Sequence, residues 1–203
     1  MIGLIDSGLG GLMILFSLMK KYPQESFTLI YDNDYFPYGE KTKEELVTRV
    51  NFLLDKYRFS KTIVACNTLS TLKDQFNKPV FDIITPTIKA VSAYSVVGVI
   101  ASKLCIDSGY YQKMLKGKMV KTFYGGDLIL AIEQNKGIEE AFFSLDIKDV
   151  DCLILGCTHF IFMKEAFKKR YSFPIISQDE IIWNIGGFDF SDFSNGIIIL
   201  IIN

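Results

Sequence analysis

The sequence lacks a long apolar run and an excess of charge of either sign. Its longest uninterrupted apolar run, residues 197–202, has six residues, whereas a helix that spans a bilayer needs about 20. Lys and Arg number 22 against 23 Asp and Glu, which gives a formal charge of −1. Binding to nucleic acid needs a clustered basic excess. We therefore expect neither a membrane nor a nucleic-acid partner.

Cysteine is also scarce, with four residues among 203, which is too few for a disulfide framework. No cationic start is followed by an apolar segment, so nothing indicates export. Hydrophobic residues make up 49% and charged residues 22% of the chain, a composition that supports a sizeable core and excludes disorder. The sequence predicts a cytoplasmic globular protein with one large domain or two small ones.

Short apolar segments alternate with segments that carry apolar residues at helical spacing. The predicted strands are residues 1–5, 27–31, 62–65, 96–101, 120–123, 152–155 and 197–202. The predicted helices include one from Leu12 to about Tyr22, and residues 44–57, 108–115, 128–134, 138–145 and 160–169. Strands that alternate with helices indicate an α/β fold with parallel sheets and with functional loops at the carboxyl ends of strands.

A weak internal repeat divides this order into two units. Residues 62–68 and 153–158 each contain an apolar strand, a small residue, a cysteine, and then hydroxyl or amide side chains. We therefore predict two pseudo-symmetric α/β lobes with the active site in the cleft between them. The first lobe would comprise residues 1–84, joined by about 184–203, and the second would comprise residues 85–183. The tail from Gly186 is predicted to be a loop followed by a terminal strand.

The cysteines at the two strand ends, Cys66 and Cys157, are the main candidates for chemistry. Cys105 and Cys152 are expected to be buried residues without a chemical role, because cysteine behaves as a small hydrophobic residue. Cys66 and Cys157 each precede a predicted helix start, where the helix dipole lowers the pKa of a thiol. Two thiols that face one cleft could act as base and acid on opposite faces of a ligand.

The sequence supports other uses of these cysteines less well. A redox pair usually shows a Cys-x-x-Cys motif, which is absent. A zinc site could recruit Cys66, Cys157 and His159, but the chain has one histidine and no cluster with ligand spacing. Cys157 and His159 also have the spacing of a cysteine nucleophile with a nearby imidazole, and His159 could equally be structural. Two cysteines in equivalent loops favour the acid/base role.

Two further loops carry groups that could bind an anion. The segment Asp6-Ser7-Gly8-Leu9-Gly10-Gly11 lies between a predicted strand and a helix, where glycine permits a tight turn and free backbone N–H groups can meet a carboxylate. It matches neither the P-loop nor the dinucleotide-binding motif. In Pro37-Tyr38-Gly39, the tyrosine hydroxyl and free N–H groups could also hold a carboxylate.

Four motifs in this order resemble those of glutamate racemases. They are Asp6-Ser7-Gly8-Leu9-Gly10-Gly11, Phe36-Pro37-Tyr38-Gly39, Val64-Ala65-Cys66-Asn67-Thr68 and Gly156-Cys157-Thr158-His159. The resemblance extends from residue 1 to about residue 165. It implies an enzyme that interconverts L- and D-glutamate without a cofactor or metal, and that supplies D-glutamate for peptidoglycan and so for cell-wall biogenesis and cell shape. Family members often form dimers, so the resemblance is compatible with a homodimer.

The resemblance also implies a role for individual residues. Cys66 and Cys157 would be the two catalytic bases, with Asp6 supporting Cys66, and with His159 and Glu133 assisting Cys157. Substrate-binding positions would be Ser7, Pro37, Tyr38, Gly39, Asn67, Thr68, Ser102 and Thr158.

The chain departs from the family at two places. Cys105 replaces a threonine, which weakens a hydrogen-bonding position, and an expected Asp-Ser-Gly segment is missing near Ser177-Gln178-Asp179. These departures favour, as one alternative, a degenerate non-catalytic binding or regulatory relative. A racemase of aspartate or another acidic amino acid is a second alternative, because the contacts to the side-chain carboxylate cannot be counted from the sequence.

Overall fold

A computed structural model of the chain describes residues 1–182 and 196–201, which contain two parallel β-sheets flanked by helices. The first sheet has the strand order β4-β3-β1-β2-β9 and the second has the order β6-β5-β7-β8. Every pair of neighbouring strands in both sheets is parallel. The strands are β1 (Ile2–Asp6), β2 (Ser26–Tyr31), β3 (Lys61–Val64), β4 (Phe81–Asp82), β5 (Val96–Ala101), β6 (Met119–Tyr124), β7 (Cys152–Gly156), β8 (Ile175–Ile176) and β9 (Gly196–Ile201).

The helices cover the sheets as the apolar spacing predicts. In α2, for example, Leu46, Val50, Leu53 and Leu54 are buried, and Thr42 and Glu45 form a capping box at its start. The α-helices are α1 (Gly10–Lys21), α2 (Lys43–Lys56), α3 (Asn67–Ser70), α4 (Ile84–Ala90), α5 (Lys103–Asp107), α6 (Tyr110–Met114), α7 (Gly126–Gln134), α8 (Ile138–Phe143) and α9 (Lys164–Arg170). Within the described residues, no helix is long and apolar enough to span a membrane.

Two predicted helices differ from those observed. The segment predicted as a helix from residue 160 begins as a 3-10 helix, Thr158–Met163, and becomes α-helical only in α9. The tighter turn suits a segment in which Thr158 and His159 are both tied to other parts of the chain. The helix predicted at 108–115 starts earlier, as α5, and is interrupted at Gly109, whose φ of 62° ends one helix before α6 begins.

The first sheet takes its strands from residues before 84 and from β9, and the second from residues 96–176. One apolar cluster continues across both sheets, with Leu4 and Leu29 on one side and Val99 and Ile154 on the other. The division into lobes at residue 84 therefore stays a prediction. The predicted loop from Gly186, and the ends of the two lobes at 183 and 184, lie outside the described residues, as does Ile202 of the predicted terminal strand.

Both sheets change the direction of their strand order next to the strands that carry the cysteines. The reversal lies between β1 and β3 in the first sheet and between β5 and β7 in the second. In open α/β sheets, ligands bind beyond the carboxyl ends of strands at such a point. The segments that follow β3 and β7 contain Cys66 and Cys157, so the topology places both cysteines where a ligand is expected.

Candidate active site

Residues at the carboxyl ends of strands in the two sheets line a common, partly open cavity. Its wall contains residues that follow strands of both sheets. Most of the predicted site residues line it: Asp6, Ser7, Pro37, Tyr38, Gly39, Cys66, Thr68, Ser102, Cys157, Thr158 and His159. Glu133 and Asn67 are not in this lining; they lie behind it, in contact with residues near the two cysteines.

Cys66 is a free thiol directly before α3, with 9% of its surface exposed. Burial and the nearby Asp6 carboxylate raise its pKa well above the usual range for cysteine, against the weaker effect of backbone N–H groups of Leu69 and Thr68. The expectation that a helix start lowers this pKa is therefore wrong for Cys66. The helix has only four residues, and burial of the charged form outweighs the contribution of its N–H groups.

Cys157 has a different environment, because its neighbour is the histidine. Its Sγ atom lies 3.5 Å from Nδ1 of His159, whose Nε2 is 2.6 Å from Oε2 of Glu133. Burial opposes protonation of His159, yet Cys157 and Glu133 outweigh burial and raise the pKa of His159 to about 10. His159 is therefore an imidazolium at neutral pH, and it places a positive charge next to the sulfur of Cys157.

Glu133 is fixed by two donors besides the histidine. The hydroxyl of Tyr31 donates to Oε1 over 2.6 Å, and the backbone N–H of Leu9 donates to Oε2 over 3.1 Å. Burial opposes ionisation of this carboxyl, but the hydrogen bonds from His159, Tyr31 and Leu9 lower its pKa. Both Tyr31 and Leu9 belong to the first sheet side, so Glu133 also ties α7 of the second sheet side to the first.

Asp6 accepts hydrogen bonds from both sheet sides. The backbone N–H of Ser7 donates to Oδ1 over 2.8 Å, and the hydroxyl of Thr158 donates to Oδ2 over 2.9 Å. Burial raises the pKa of Asp6 to about 6, even though His159 and Thr158 act in the opposite direction. The carboxyl is therefore mostly ionised at neutral pH and can take up a proton just below it.

The glycines of the loop after β1 allow a close approach to this cluster. A Cβ atom on Gly8 would lie 2.5 Å from Nε2 of His159, and one on Gly10 would lie 2.2 Å from Oγ1 of Thr158. These glycines are therefore required for packing against the Cys157 segment, in addition to any role in holding a carboxylate.

The hydroxyl of Tyr38 is already bound to another side chain. It donates to Oδ2 of Asp32 over 2.6 Å, and Arg49 forms an ion pair with the same buried carboxylate at 2.5 Å. A hydroxyl has one proton to donate, so this one cannot donate to a substrate carboxylate while the bond to Asp32 persists. Tyr38 can still accept a hydrogen bond from a ligand, and its part in substrate binding stays a prediction.

Asn67 and Thr68 face other side chains of the protein. The Thr68 and Ser102 hydroxyls lie 2.8 Å apart and both residues line the cavity. The side chain of Asn67 instead forms hydrogen bonds with Gln178 and Tyr111. A role of the Asn67 amide in binding substrate would need these bonds to exchange, and it also stays a prediction.

Several residues of the cavity wall were not predicted from the sequence. They are Phe36, Glu40, Lys103, Tyr124, Gly126, Ile129 and Leu130. Lys103 could have been found, because it follows Ser102 at the end of a predicted strand. Among residues 1–182, no three His, Cys, Asp or Glu side chains are grouped so that they could hold a metal ion.

The chain is similar in sequence to known glutamate racemases. No protein-family model matches the chain. The chain is 32% identical to a glutamate racemase of Buchnera aphidicola over 199 residues, which covers 85% of this chain and 77% of the relative. It is 33% identical to a glutamate racemase of Limosilactobacillus reuteri over 191 residues, covering 83% and 72%.

Solved structures agree with these sequence relatives. A glutamate racemase of Francisella tularensis in complex with D-glutamate superposes with a TM-score of 0.82 at 25% identity, covering 100% of this chain and 88% of that one. A glutamate racemase of Bacillus anthracis gives a TM-score of 0.82 at 28% identity with the same coverage. An aspartate racemase of Picrophilus torridus, at 19% identity and a TM-score of 0.60 over 88% of this chain and 89% of that one, shares the fold.

Proposed function

Because the chain belongs to the glutamate racemase family, a family of isomerases, we propose that it interconverts L- and D-glutamate with Cys66 and Cys157 as the two acid/base groups. The observation that carries this proposal is that both free cysteines line one cavity, each at the switch point of its own sheet. Removal of a weakly acidic Cα proton needs a base on one face, and inversion needs an acid on the other. One cysteine from each sheet meets that need.

The two thiols have different charged neighbours. The His159 imidazolium lies next to the sulfur of Cys157, whereas burial and Asp6 raise the pKa of Cys66 and favour its thiol form. With L-glutamate, the Cys157 thiolate would remove the Cα proton and the Cys66 thiol would deliver its own proton to the opposite face. The products are D-glutamate, a Cys157 thiol and a Cys66 thiolate, which is the state needed for the reverse reaction.

The other residues would bind and orient the substrate. Ser7, Thr68, Ser102 and Thr158 offer hydroxyl groups to the cavity, and Pro37, Tyr38 and Gly39 form its wall. Asp6 and Glu133 would hold Thr158 and His159 in place, because each carboxylate accepts a hydrogen bond from one of them. The D-glutamate product would serve peptidoglycan synthesis, which also implies a location in the cytoplasm. A homodimer stays a prediction of the family resemblance.

The test is the exchange of the Cα proton with deuterated water, measured by NMR for each enantiomer. We expect Cys66→Ser and Cys157→Ser each to abolish racemisation, which is measured by circular dichroism. Cys66→Ser should retain exchange from L-glutamate only, and Cys157→Ser from D-glutamate only, because one base survives in each.

Three results would contradict this proposal. Exchange of both enantiomers by both folded variants would refute the two-base mechanism. A covalent adduct found by mass spectrometry, with one cysteine dispensable, would favour a nucleophile instead. Faster exchange from aspartate than from glutamate in the unmodified protein would assign a different substrate.

A further inference from the structure

A buried cluster of side-chain hydrogen bonds lies directly behind Cys66. Asn67 Nδ2 donates to Oε1 of Gln178 over 2.7 Å, and Gln178 Nε2 donates back to Oδ1 of Asn67 over 2.8 Å. The hydroxyl of Tyr111 donates to the same Asn67 oxygen over 2.8 Å. Asn67, Gln178 and Tyr111, here called the amide cluster, expose at most 2% of their surface, and none of them is among the residues that line the cavity.

The amide cluster joins the two sheet sides. Asn67 is the first residue of α3 and follows Cys66, at the end of a strand of the first sheet. Gln178 lies just after β8 of the second sheet, and Tyr111 belongs to α6, which follows β5 of that sheet. Asn67, which follows Cys66 along the chain, is thus hydrogen-bonded to residues of the second sheet side, which carries Cys157.

We propose that Gln178 is a positioning residue, which maintains the position of Cys66 relative to Cys157 by fixing the side chain of Asn67. The two antiparallel amide bonds fix both the distance and the plane of the Asn67 amide, and burial makes the alternative of an unpaired amide costly. Because Asn67 is bonded to Cys66 along the chain, a fixed Asn67 restricts where the Cys66 sulfur can lie. This inference rests on the proposed function of Cys66 as a reacting group.

Replacing Gln178 with Leu removes both amide bonds while keeping a side chain of similar size. A reacting group displaced by about 1 Å can cost about a hundredfold in rate, so we expect a fall of about tenfold or more in kcat with little change in KM. The value of kcat/KM must fall equally in both directions, since the equilibrium constant between the enantiomers is unity. The direction-specific effect therefore has to be sought in the exchange of the Cα proton.

The experiment compares exchange from D-glutamate, which depends on Cys66, with exchange from L-glutamate, which depends on Cys157. In folded Gln178→Leu protein we expect the D-glutamate rate to fall at least about tenfold more than the L-glutamate rate. Tyr111→Phe removes only one hydroxyl from the cluster and should shift the ratio in the same direction by less. If Gln178→Leu does not fold, Tyr111→Phe tests the positioning role in its place.

The matched control is Thr87→Val. Thr87 accepts a longer hydrogen bond of 3.3 Å from Gln178 and does not contact the Asn67 amide through any side-chain bond found in the structure. It should leave the ratio of the two exchange rates unchanged. An equal fall of both rates in Gln178→Leu and Tyr111→Phe, or no fall in either, would overturn the positioning role.

A second readout separates this inference from the proposed function. The rates at which iodoacetamide alkylates Cys66 and Cys157 can be followed by peptide mass spectrometry in each variant without substrate. If Gln178 positions Cys66, Gln178→Leu changes the Cys66 rate several-fold relative to Cys157. An unchanged ratio refutes the positioning role even if the two-base mechanism holds, and a changed ratio supports it even if Cys66→Ser shows that the two-base mechanism is wrong.

Discussion

Replacing Glu133 with Gln tests whether the imidazolium of His159 maintains the active state of Cys157. A hydrogen bond to a charged group contributes about 1.5–3 kcal/mol, and one pKa unit corresponds to about 1.4 kcal/mol. Loss of the carboxylate 2.6 Å from Nε2 should therefore lower the pKa of His159 by roughly one to two units from about 10. A Gln side chain can still accept from Tyr31 or Leu9, so the fold is expected to persist.

The sign of the effect on activity follows from which form of His159 is needed. Protonated His159 supports the Cys157 thiolate, so activity is lost as pH rises through the pKa of His159. We expect the basic limb of the kcat/KM profile for L-glutamate to move down by roughly one to two units in Glu133→Gln. The profile can be measured by circular dichroism under constant ionic strength.

Tyr31→Phe is the matched control, because it removes a 2.6 Å hydrogen bond to Glu133 but keeps the carboxylate next to His159. In Tyr31→Phe, the basic limb of the kcat/KM profile should not move to lower pH. If Glu133→Gln also leaves the basic limb in place while its thermal unfolding is unchanged, His159 does not act through its charge. The proposed role of the His159 charge in the reaction of Cys157 would then be wrong.

Two further predictions concern Asp6 and Lys103. The pKa of Asp6 is raised from 3.8 to about 6, so ionisation of Asp6 lowers the free energy of unfolding by on the order of 3 kcal/mol. This free energy is highest below the unfolded-state pKa and falls as the pH rises through about 6. Asp6→Asn should lack this pH-dependent loss of stability, measured by urea unfolding at mildly acid and neutral pH, and it should abolish racemisation. An unchanged pH dependence of the unfolding free energy would contradict the raised pKa of Asp6. Lys103 lines the cavity and pairs with Asp107 at 2.5 Å on the exposed surface. Because Lys103 brings a positive charge to the cavity wall, Lys103→Met should raise KM for glutamate modestly, whereas Asp107→Asn should not raise it.

The parts of the fold that the sequence predicts are those determined by local pattern. Short apolar segments bounded by turn residues predicted β1, β2, β5 and β7, and the cysteine after an apolar strand predicted the cavity wall at Cys66 and Cys157. The position of a residue at the end of a parallel strand is enough to place it near the ends of neighbouring strands. The two-residue strands β4 and β8 were missed, because so short a segment has no measurable periodicity.

The parts that the sequence does not predict depend on contacts between distant residues. Tyr38 was expected to offer its hydroxyl to a substrate, but the buried Asp32–Arg49 pair takes it up. The pKa of Cys66 was expected to fall, but burial raises it. The link from Asn67 to Gln178 spans 111 residues of sequence. None of these outcomes follows from residue type or spacing, because each depends on which side chains the completed fold brings together.

The two halves of the site are similar in backbone topology and different in electrostatics, and this difference has a mechanistic consequence. Cys66 and Cys157 each follow a strand at a switch point, yet only Cys157 has an imidazolium next to it. Asp6 joins the halves, because it accepts a hydrogen bond from Thr158, next to Cys157, while its charge raises the pKa of Cys66. In the proposed mechanism, L-glutamate reacts with the state in which Cys66 is a thiol and Cys157 a thiolate. Turnover of L-glutamate leaves the opposite state, so the proton must return from Cys157 to Cys66 before the next L-glutamate can react. D-glutamate reacts with the opposite state, in which Cys66 is the thiolate and raising its pKa makes that form harder to reach.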